Sequence, residues 1–388
     1  MKLTNSLLVG LTASIAGAAA FDISCNSNYA SYYGQNSARN QKQLGEYCKD
    51  ATEDVIVLAF MNGFPNILLN FANACETTFD GSSLLHCPNI AKDIKYCQSQ
   101  GKAVVLSMGG AAGSYGFSGD GDAISFADTV WNMFFNGKAT QRPFDDAVLD
   151  GIDLDIEGGS GAGYPAFINQ LRSHYASDPS KKYYIASAPQ CPFPDAYLGS
   201  TLNSAWFDMV YVQFYNNYCG LNAYPTWFNY DDWDNWAKTK SVNKNVKIFI
   251  GAPGSPSAAS SGYVDGSTLS TVYNAVRANY TSLGGIMTWD VKFVAGSLNN
   301  GVYSTVVKIQ ADKQAFTGNW AISFNLPSGQ TIDSASRGSV SVNKNMVTIS
   351  SDTTSEEPRN MAATFKISGT FANDYKLPDA GSVVFVSV

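Results

Sequence analysis

Asp150-Gly151-Ile152-Asp153-Leu154-Asp155-Ile156-Glu157 alternates acidic and aliphatic side chains along its second half. A period of two is strand geometry, and it sorts the side chains by face. Asp153, Asp155 and Glu157 point one way, and Leu154 and Ile156 the other. Asp150 has the opposite parity and reads as structural. On a barrel strand this sends three carboxylates inward and the apolar pair outward against helices. Neighbours on one face lie ~6.5–7 Å apart, too close for three buried anions to stay ionised together. At least one proton is shared or retained. Glu157, last on the strand, falls at the C-terminal mouth, where barrel active sites form. A carboxyl of raised pKa there suits a general acid. Two other readings stay open. One is a solvated strand end or ion-pair network, although no Lys or Arg interrupts the strand. The other is a magnesium or calcium site on Asp-x-Asp-x-Glu, although no phosphate-substrate signature accompanies it.

Outward from this strand, short apolar or β-branched runs recur. They are Ser31–Gly34, Val55–Phe60, Ala103–Met108, Leu149–Glu157, Tyr183–Ala188, Phe207–Tyr215, Lys247–Gly251 and Gly285–Trp289. Most are apolar throughout, as strands buried on both faces are. Helix-compatible stretches such as Asn89–Ser99, Asp122–Phe135 and Tyr164–His174 separate them. Repeated βα units predict an α/β chain with a (β/α)₈ TIM barrel. A doubly wound open sheet is the alternative, but it normally carries a Gly-rich phosphate turn after its first strand. Here that strand is followed by Gly34-Gln35-Asn36.

The pattern changes near residue 312. Trp320–Leu326 alternates, and Ser339–Val342 and Met346–Ser350 flank the turn Asn343-Lys344-Asn345. Ala362–Ser368 and Ser382–Val388 supply further strands. Residues 313–388 therefore read as a small all-β sandwich after a barrel over residues 21–312. Residues 1–20 read as a secretory signal: Lys2 precedes the apolar run Leu7–Ala20, which ends in small side chains.

Among the 388 residues, 45% are hydrophobic and 15% charged, enough apolar material for a full core. The net charge is −7 and no Lys/Arg cluster occurs, which excludes nucleic acid and an anionic membrane surface as partners. With only His86 and His174, a three-histidine zinc site is impossible. The 7 cysteines include no CxxC pair. In an oxidising compartment most should pair, and the odd count leaves one over, for which Cys25 at the mature N-terminus is the candidate. Asn279-Tyr280-Thr281 is an N-glycosylation sequon. Trp233 and Trp236, spaced three apart, read as one buried helix face. Tyr218, Trp227 and Tyr230 read as groove residues.

Asp150-Gly151-Ile152-Asp153-Leu154-Asp155-Ile156-Glu157 resembles the DxxDxDxE signature of glycoside hydrolase family 18, and Ser107-Met108-Gly109-Gly110 resembles that family's SxGG motif. The likeness extends to the plant-type class III chitinases and their fungal relatives. It includes Tyr32-Tyr33-Gly34-Gln35-Asn36, Ala188-Pro189-Gln190-Cys191-Pro192-Phe193-Pro194-Asp195 and Val212-Gln213-Phe214-Tyr215-Asn216-Asn217, over about residues 28–310.

The resemblance implies Glu157 as the acid that protonates the glycosidic oxygen. The substrate's own acetamido group is then the nucleophile, a recorded exception to the two-carboxylate scheme. It implies that Asp155 orients the acetamide N–H, that Asp153 shares a proton with Asp155, and that Tyr215 contacts the acetamido oxygen. Gln213 would hydrogen-bond substrate and Trp289 would floor the −1 sugar, with Tyr32, Asn62 and Gly110 as weaker binding positions. It also implies cis peptides at Ala59-Phe60 and Trp289-Asp290, and disulfides Cys48–Cys97, Cys75–Cys87 and Cys191–Cys219.

The stretch from Gly251 to Gly285 has room for one loop and one helix, so the cleft should be shallow and open. That favours internal cleavage of a long polymer. The expected protein is a secreted, extracellular endochitinase, a candidate for association with the cell wall, that retains anomeric configuration. It would be a monomer acting on chitin or chito-oligosaccharides, without metal or organic cofactor. The rivals are an endo-β-N-acetylglucosaminidase acting on N-glycans and a non-catalytic chitin-binding protein. Residues 316–388 loosely resemble a carbohydrate-binding module, with Phe316, Trp320, Phe324, Phe371 and Tyr375 as aromatic candidates.

Overall fold

In the computed structural model the described residues are 21–290, apart from 38, 40 and 51, and a set of strands after residue 300. The proposed signal, residues 1–20, lies outside them. Two compact units are present, Met1–Phe293 and Val294–Val388.

The first unit is built on eight parallel strands: β1 (Asn28–Tyr33), β2 (Val55–Phe64), β3 (Ala103–Gly110), β4 (Gly151–Ile156), β5 (Tyr184–Ser187), β6 (Met209–Gln213), β7 (Lys247–Pro253) and β8 (Leu283–Trp289). Each pairs with its neighbour in chain order, and β1 pairs with both β2 and β8, so the sheet closes into a barrel. One helix follows each of the first seven strands: α1 (Leu44–Tyr47), α2 (Pro88–Ser99), α3 (Asp120–Phe134), α4 (Tyr164–Ser177), α5 (Gly199–Ser204), α6 (Tyr230–Thr239) and α7 (Gly266–Asn279). Proline in the first turn opens α2 and α4, where its missing N–H costs no hydrogen bond. The Asp265 side chain caps α7 by accepting from the Thr268 N–H at 2.8 Å. As the spacing predicts, β7 and β8 are joined by a loop and α7, with no inserted sheet among the described residues.

Strand parity divides the core. Tyr32, Val55, Val57, Val105, Ala186, Tyr211 and Phe249 pack inside the barrel. Tyr33, Ile56, Leu58, Leu106, Ile152, Leu154 and Ile156 pack outward with the helices. Trp233 and Trp236 are buried, as their helical spacing predicts. Tyr230 is also buried and donates to the Ile248 carbonyl, so it is a core residue and not a groove residue. The disulfides Cys48–Cys97, Cys75–Cys87 and Cys191–Cys219 are formed, and Cys25 stands outside them.

The second unit begins earlier than the boundary read at residue 312. Its strand Gly301–Gln310 pairs along its whole length with Ala362–Phe371, and a further antiparallel sheet contains Trp320–Asn325, Ser339–Asn343, Met346–Ser350 and Val384–Ser387. Phe316 and Tyr375 lie outside the described residues, and Trp320, Phe324 and Phe371 are described only as strand positions.

Candidate active site

Asp153 and Asp155 are buried inside the barrel, and Glu157 sits half-buried just past the end of β4. Register explains why the neighbouring strand carries Ser-x-Gly-Gly. Ser107 stands opposite Asp153, and Gly109 opposite Asp155. The Ser107 hydroxyl donates to Asp153 Oδ2 at 2.7 Å. Gly109 has φ +111°, and a Cβ there would lie 2.2 Å from the Asp155 carbonyl oxygen. Only glycine lets the two strands approach so closely.

Asp153 Oδ2 takes a second hydrogen bond, from the Tyr32 hydroxyl at 2.7 Å. Its other oxygen is buried with no partner among the described residues. Burial raises the Asp153 pKa to about 6, with the Ser107 and Tyr32 donors opposing the rise. Burial also raises Asp155 well above the ordinary range, helped by the charges of Glu157 and Asp153. Glu157 is raised by burial, against the pull of hydrogen bonds from Asp155, Gln213 and Gln190. Asp155 and Glu157 act on each other's titration, Glu157 raising Asp155 and Asp155 drawing Glu157 down, while Asp153 is held by two hydroxyls.

Gln213, inward at the end of β6, donates to Asp155 Oδ1 and to the Ala188 carbonyl, both at 2.9 Å. Tyr215 lies two residues beyond β6 and not on it, buried and facing the charges of Asp155 and Glu157. Trp289 ends β8 half-exposed, stacked on Phe60 at 5.5 Å and edge-on to Tyr32 at 5.4 Å. The peptides Ala59-Phe60 and Trp289-Asp290 are cis. Gly110 ends β3, where a Cβ would press on the Phe60 ring at 3.0 Å.

Asn62 lines an open pocket of ≈ 360 Å³ with Leu68, Leu69, Asn70 and Glu76, and its Oδ1 is buried without a partner among the described residues. Asn279 is exposed at the end of α7, where the sequon is accessible. Asp150 accepts from Gln98 and from the Val104 N–H, and pairs with Lys181 at 2.7 Å, consistent with its opposite parity.

Three contributors were not assigned from the sequence. Gln190 draws the Glu157 pKa down, and its Oε1 accepts from Asn217 Nδ2 at 3.1 Å. Asp195 accepts the Gln190 N–H at 2.9 Å. The Tyr115 hydroxyl takes the Glu157 N–H at 3.1 Å and donates to the Gly110 carbonyl at 2.7 Å. Gln190 and Asp195 lie within the segment quoted for the family likeness, which was the available signal. Tyr115, on a short ribbon, had none. Among the described residues no cluster of His, Cys, Asp or Glu is arranged to hold a metal ion. No helix among them is long and apolar enough to cross a membrane.

The model of glycosyl hydrolases family 18 matches residues 28–260. The chain belongs to this family. An endochitinase of Saccharomyces cerevisiae is 48% identical over 291 residues, covering 74% of this chain and 51% of that protein. The chain spans about half the length of several such curated relatives. Among solved structures of the same architecture, a chitinase of Ipomoea carnea is 34% identical with TM-score 0.60, covering 68% of this chain and 94% of its own. A xylanase and alpha-amylase inhibitor protein of Scadoxus multiflorus is 32% identical with TM-score 0.59, covering 68% and 93%. Solved chains of this architecture thus include one named for inhibition as well as one named for hydrolysis.

Proposed function

We propose that the protein is an endo-acting chitinase that cleaves β-1,4-linked N-acetylglucosamine polymer with retention. The observation that carries this is the stacked acid pair at the barrel mouth. Burial raises the Glu157 pKa above its ordinary 4.5, and the other two carboxylates precede it on the same strand face. That arrangement supplies one proton donor and leaves the nucleophile to the substrate. In the proposed reaction Glu157 donates its proton to the glycosidic oxygen while the −1 acetamido oxygen attacks the anomeric carbon. The bond to the leaving sugar breaks and an oxazolinium ion forms. Asp155 accepts the acetamide N–H, and the Tyr215 hydroxyl donates to the acetamido oxygen. The Glu157 carboxylate then takes a proton from water, which opens the ring from the leaving-group side. Two displacements retain the configuration. Trp289 would support the −1 ring on its indole face.

Residues 1–20 would export the protein, and three disulfides fit an oxidising compartment. The inhibitor-named relative supports one rival, a non-catalytic binding protein. Hydrolysis of an N-acetylglucosamine pentamer, with product anomers resolved early, separates the two. Wild type should release β-anomers, and Glu157→Gln should lose ~10²–10⁴-fold in rate with pentamer binding retained. Residual activity of the variant within about ten-fold of wild type would remove Glu157 from the acid role.

A further inference from the structure

A fourth carboxylate acts on the acid site from outside β4. Asp195 lies in the loop between β5 and α5 and is buried. Both its oxygens accept backbone N–H groups: Oδ2 from Gln190 at 2.9 Å, and Oδ1 from Tyr197 at 2.9 Å and Leu198 at 2.6 Å. No lysine, arginine or histidine pairs with it among the described residues. Backbone donors solvate a carboxylate without cancelling its charge, so the field reaches neighbours in the same dry interior. The loop is fixed to the site at its start. Gln190 pairs with Gln213 in an isolated β-bridge, where the Gln213 N–H donates to the Pro189 carbonyl at 2.8 Å and the Cys191 N–H donates to the Gln213 carbonyl at 3.2 Å. The Gln213 side chain in turn donates to Asp155 Oδ1 at 2.9 Å.

Burial is the main cause of the raised pKa values of Glu157 and Asp155, and the Asp195 charge adds to both. The other titratable groups around the two are Asp153 on β4, Tyr32 on β1, Tyr215 beyond β6 and Tyr115 on the ribbon after β3. None of these is a cation that could offset the anion. We propose that Asp195 is a positioning residue of the acid site, a fixed negative charge that keeps the catalytic proton on Glu157. The proposal rests on the chitinase reading for what that proton does. The same charge makes the Glu157 carboxylate a stronger base toward water in the second displacement. A cap for the loop needs only acceptors, which a neutral side chain also supplies.

The sign of one shift separates this role from a structural one. Gln190 draws the Glu157 pKa down. If Asp195 merely held Gln190 in place, its loss would release that pull and move the Glu157 titration to higher pH. Loss of a nearby negative charge moves it lower. In Asp195→Asn the Glu157 carboxyl, followed by NMR of the free protein and assigned with Glu157→Gln, should titrate about one pH unit lower than in wild type. The basic limb of kcat/KM on the N-acetylglucosamine pentamer should move with it, an about ten-fold loss above the limb. Gln190→Met should move both the opposite way. Where thermal unfolding shows that Asp195→Asn does not fold, Asp195→Ser, which keeps a short acceptor, is read in its place. A Glu157 titration that stays put or rises in the folded, charge-free variant would overturn the proposal. Should wild type cleave no pentamer, the chitinase reading fails by itself, and the NMR shift alone decides the role of Asp195.

Discussion

The Tyr32 hydroxyl donates to Asp153 Oδ2 at 2.7 Å across the barrel interior, joining β1 to β4. Tyr32→Phe keeps the ring contacts with Phe60, Tyr211 and Trp289 but deletes this donor. The Asp153 pKa, already raised to about 6 by burial, should then climb further. Such a raised group stabilises the fold fully below its unfolded value. That contribution is lost as pH rises through the folded value. The deficit of the variant should therefore grow between pH 4 and 7, reaching about 2 kcal/mol at pH 7 for a lost donor to a charged carboxylate. Urea unfolding at both pH values measures it. Equal deficits would mean that Asp153 does not titrate against Tyr32.

Glu157 is raised above its ordinary 4.5 by burial, with Gln213 among the groups pulling it back. An acid catalyst works below its own pKa, so kcat/KM should fall as pH rises through that raised value. Gln213→Met removes an amide that favours the charged form. The basic limb should move to higher pH while the maximum rate drops. A pH–rate profile of both proteins checks this, and an unmoved limb would separate Gln213 from the carboxylate pair.

Gly109→Ala would set a methyl group 2.2 Å from the Asp155 carbonyl oxygen, at φ +111°. The barrel should lose about 4 kcal/mol or more, together with activity, because Asp155 is the residue pushed. Gly121→Ala, in the first turn of α3 with nothing within 4 Å of its would-be Cβ, is the control. It should leave stability unchanged or raise it by up to ~0.5 kcal/mol. Thermal unfolding and pentamer turnover distinguish the two variants.

Cys191 and Cys219 close a loop of sequence separation 28 that carries the Gln190–Asn217 hydrogen bond. Replacing both by alanine should cost about 3–4 kcal/mol in unfolding free energy. It should also lower kcat/KM, because Gln190 loses its fixed position beside Glu157. Stability unchanged from wild type would mean that the bond does not form in solution.

Much of the barrel was legible from runs of apolar residues, since strands buried on both faces need little else to declare themselves. Boundaries were less so. The strands read as ending at Glu157 and Tyr215 stop at Ile156 and Gln213, because pairing ceases where the mouth opens. Tyr230 looked like a loop aromatic and proved to be core. Nothing local shows that α6 begins there or that the Ile248 carbonyl awaits its hydroxyl.

Sequence alone determined that Asp153, Asp155 and Glu157 share a face and that Asp150 does not. Parity follows from the backbone of one strand and needs no partner. Tertiary structure decided which carboxylate each one meets and which hydroxyl or amide holds it. Register set Ser107 against Asp153 and Gly109 against Asp155. Closure of β1 onto β2 and β8 carried Tyr32 across to Asp153, and the β5 and β6 ends brought Gln190 and Gln213 to the acid pair. Those contacts join residues far apart in the chain. Their distances depend on how the whole sheet closes, which no single strand encodes.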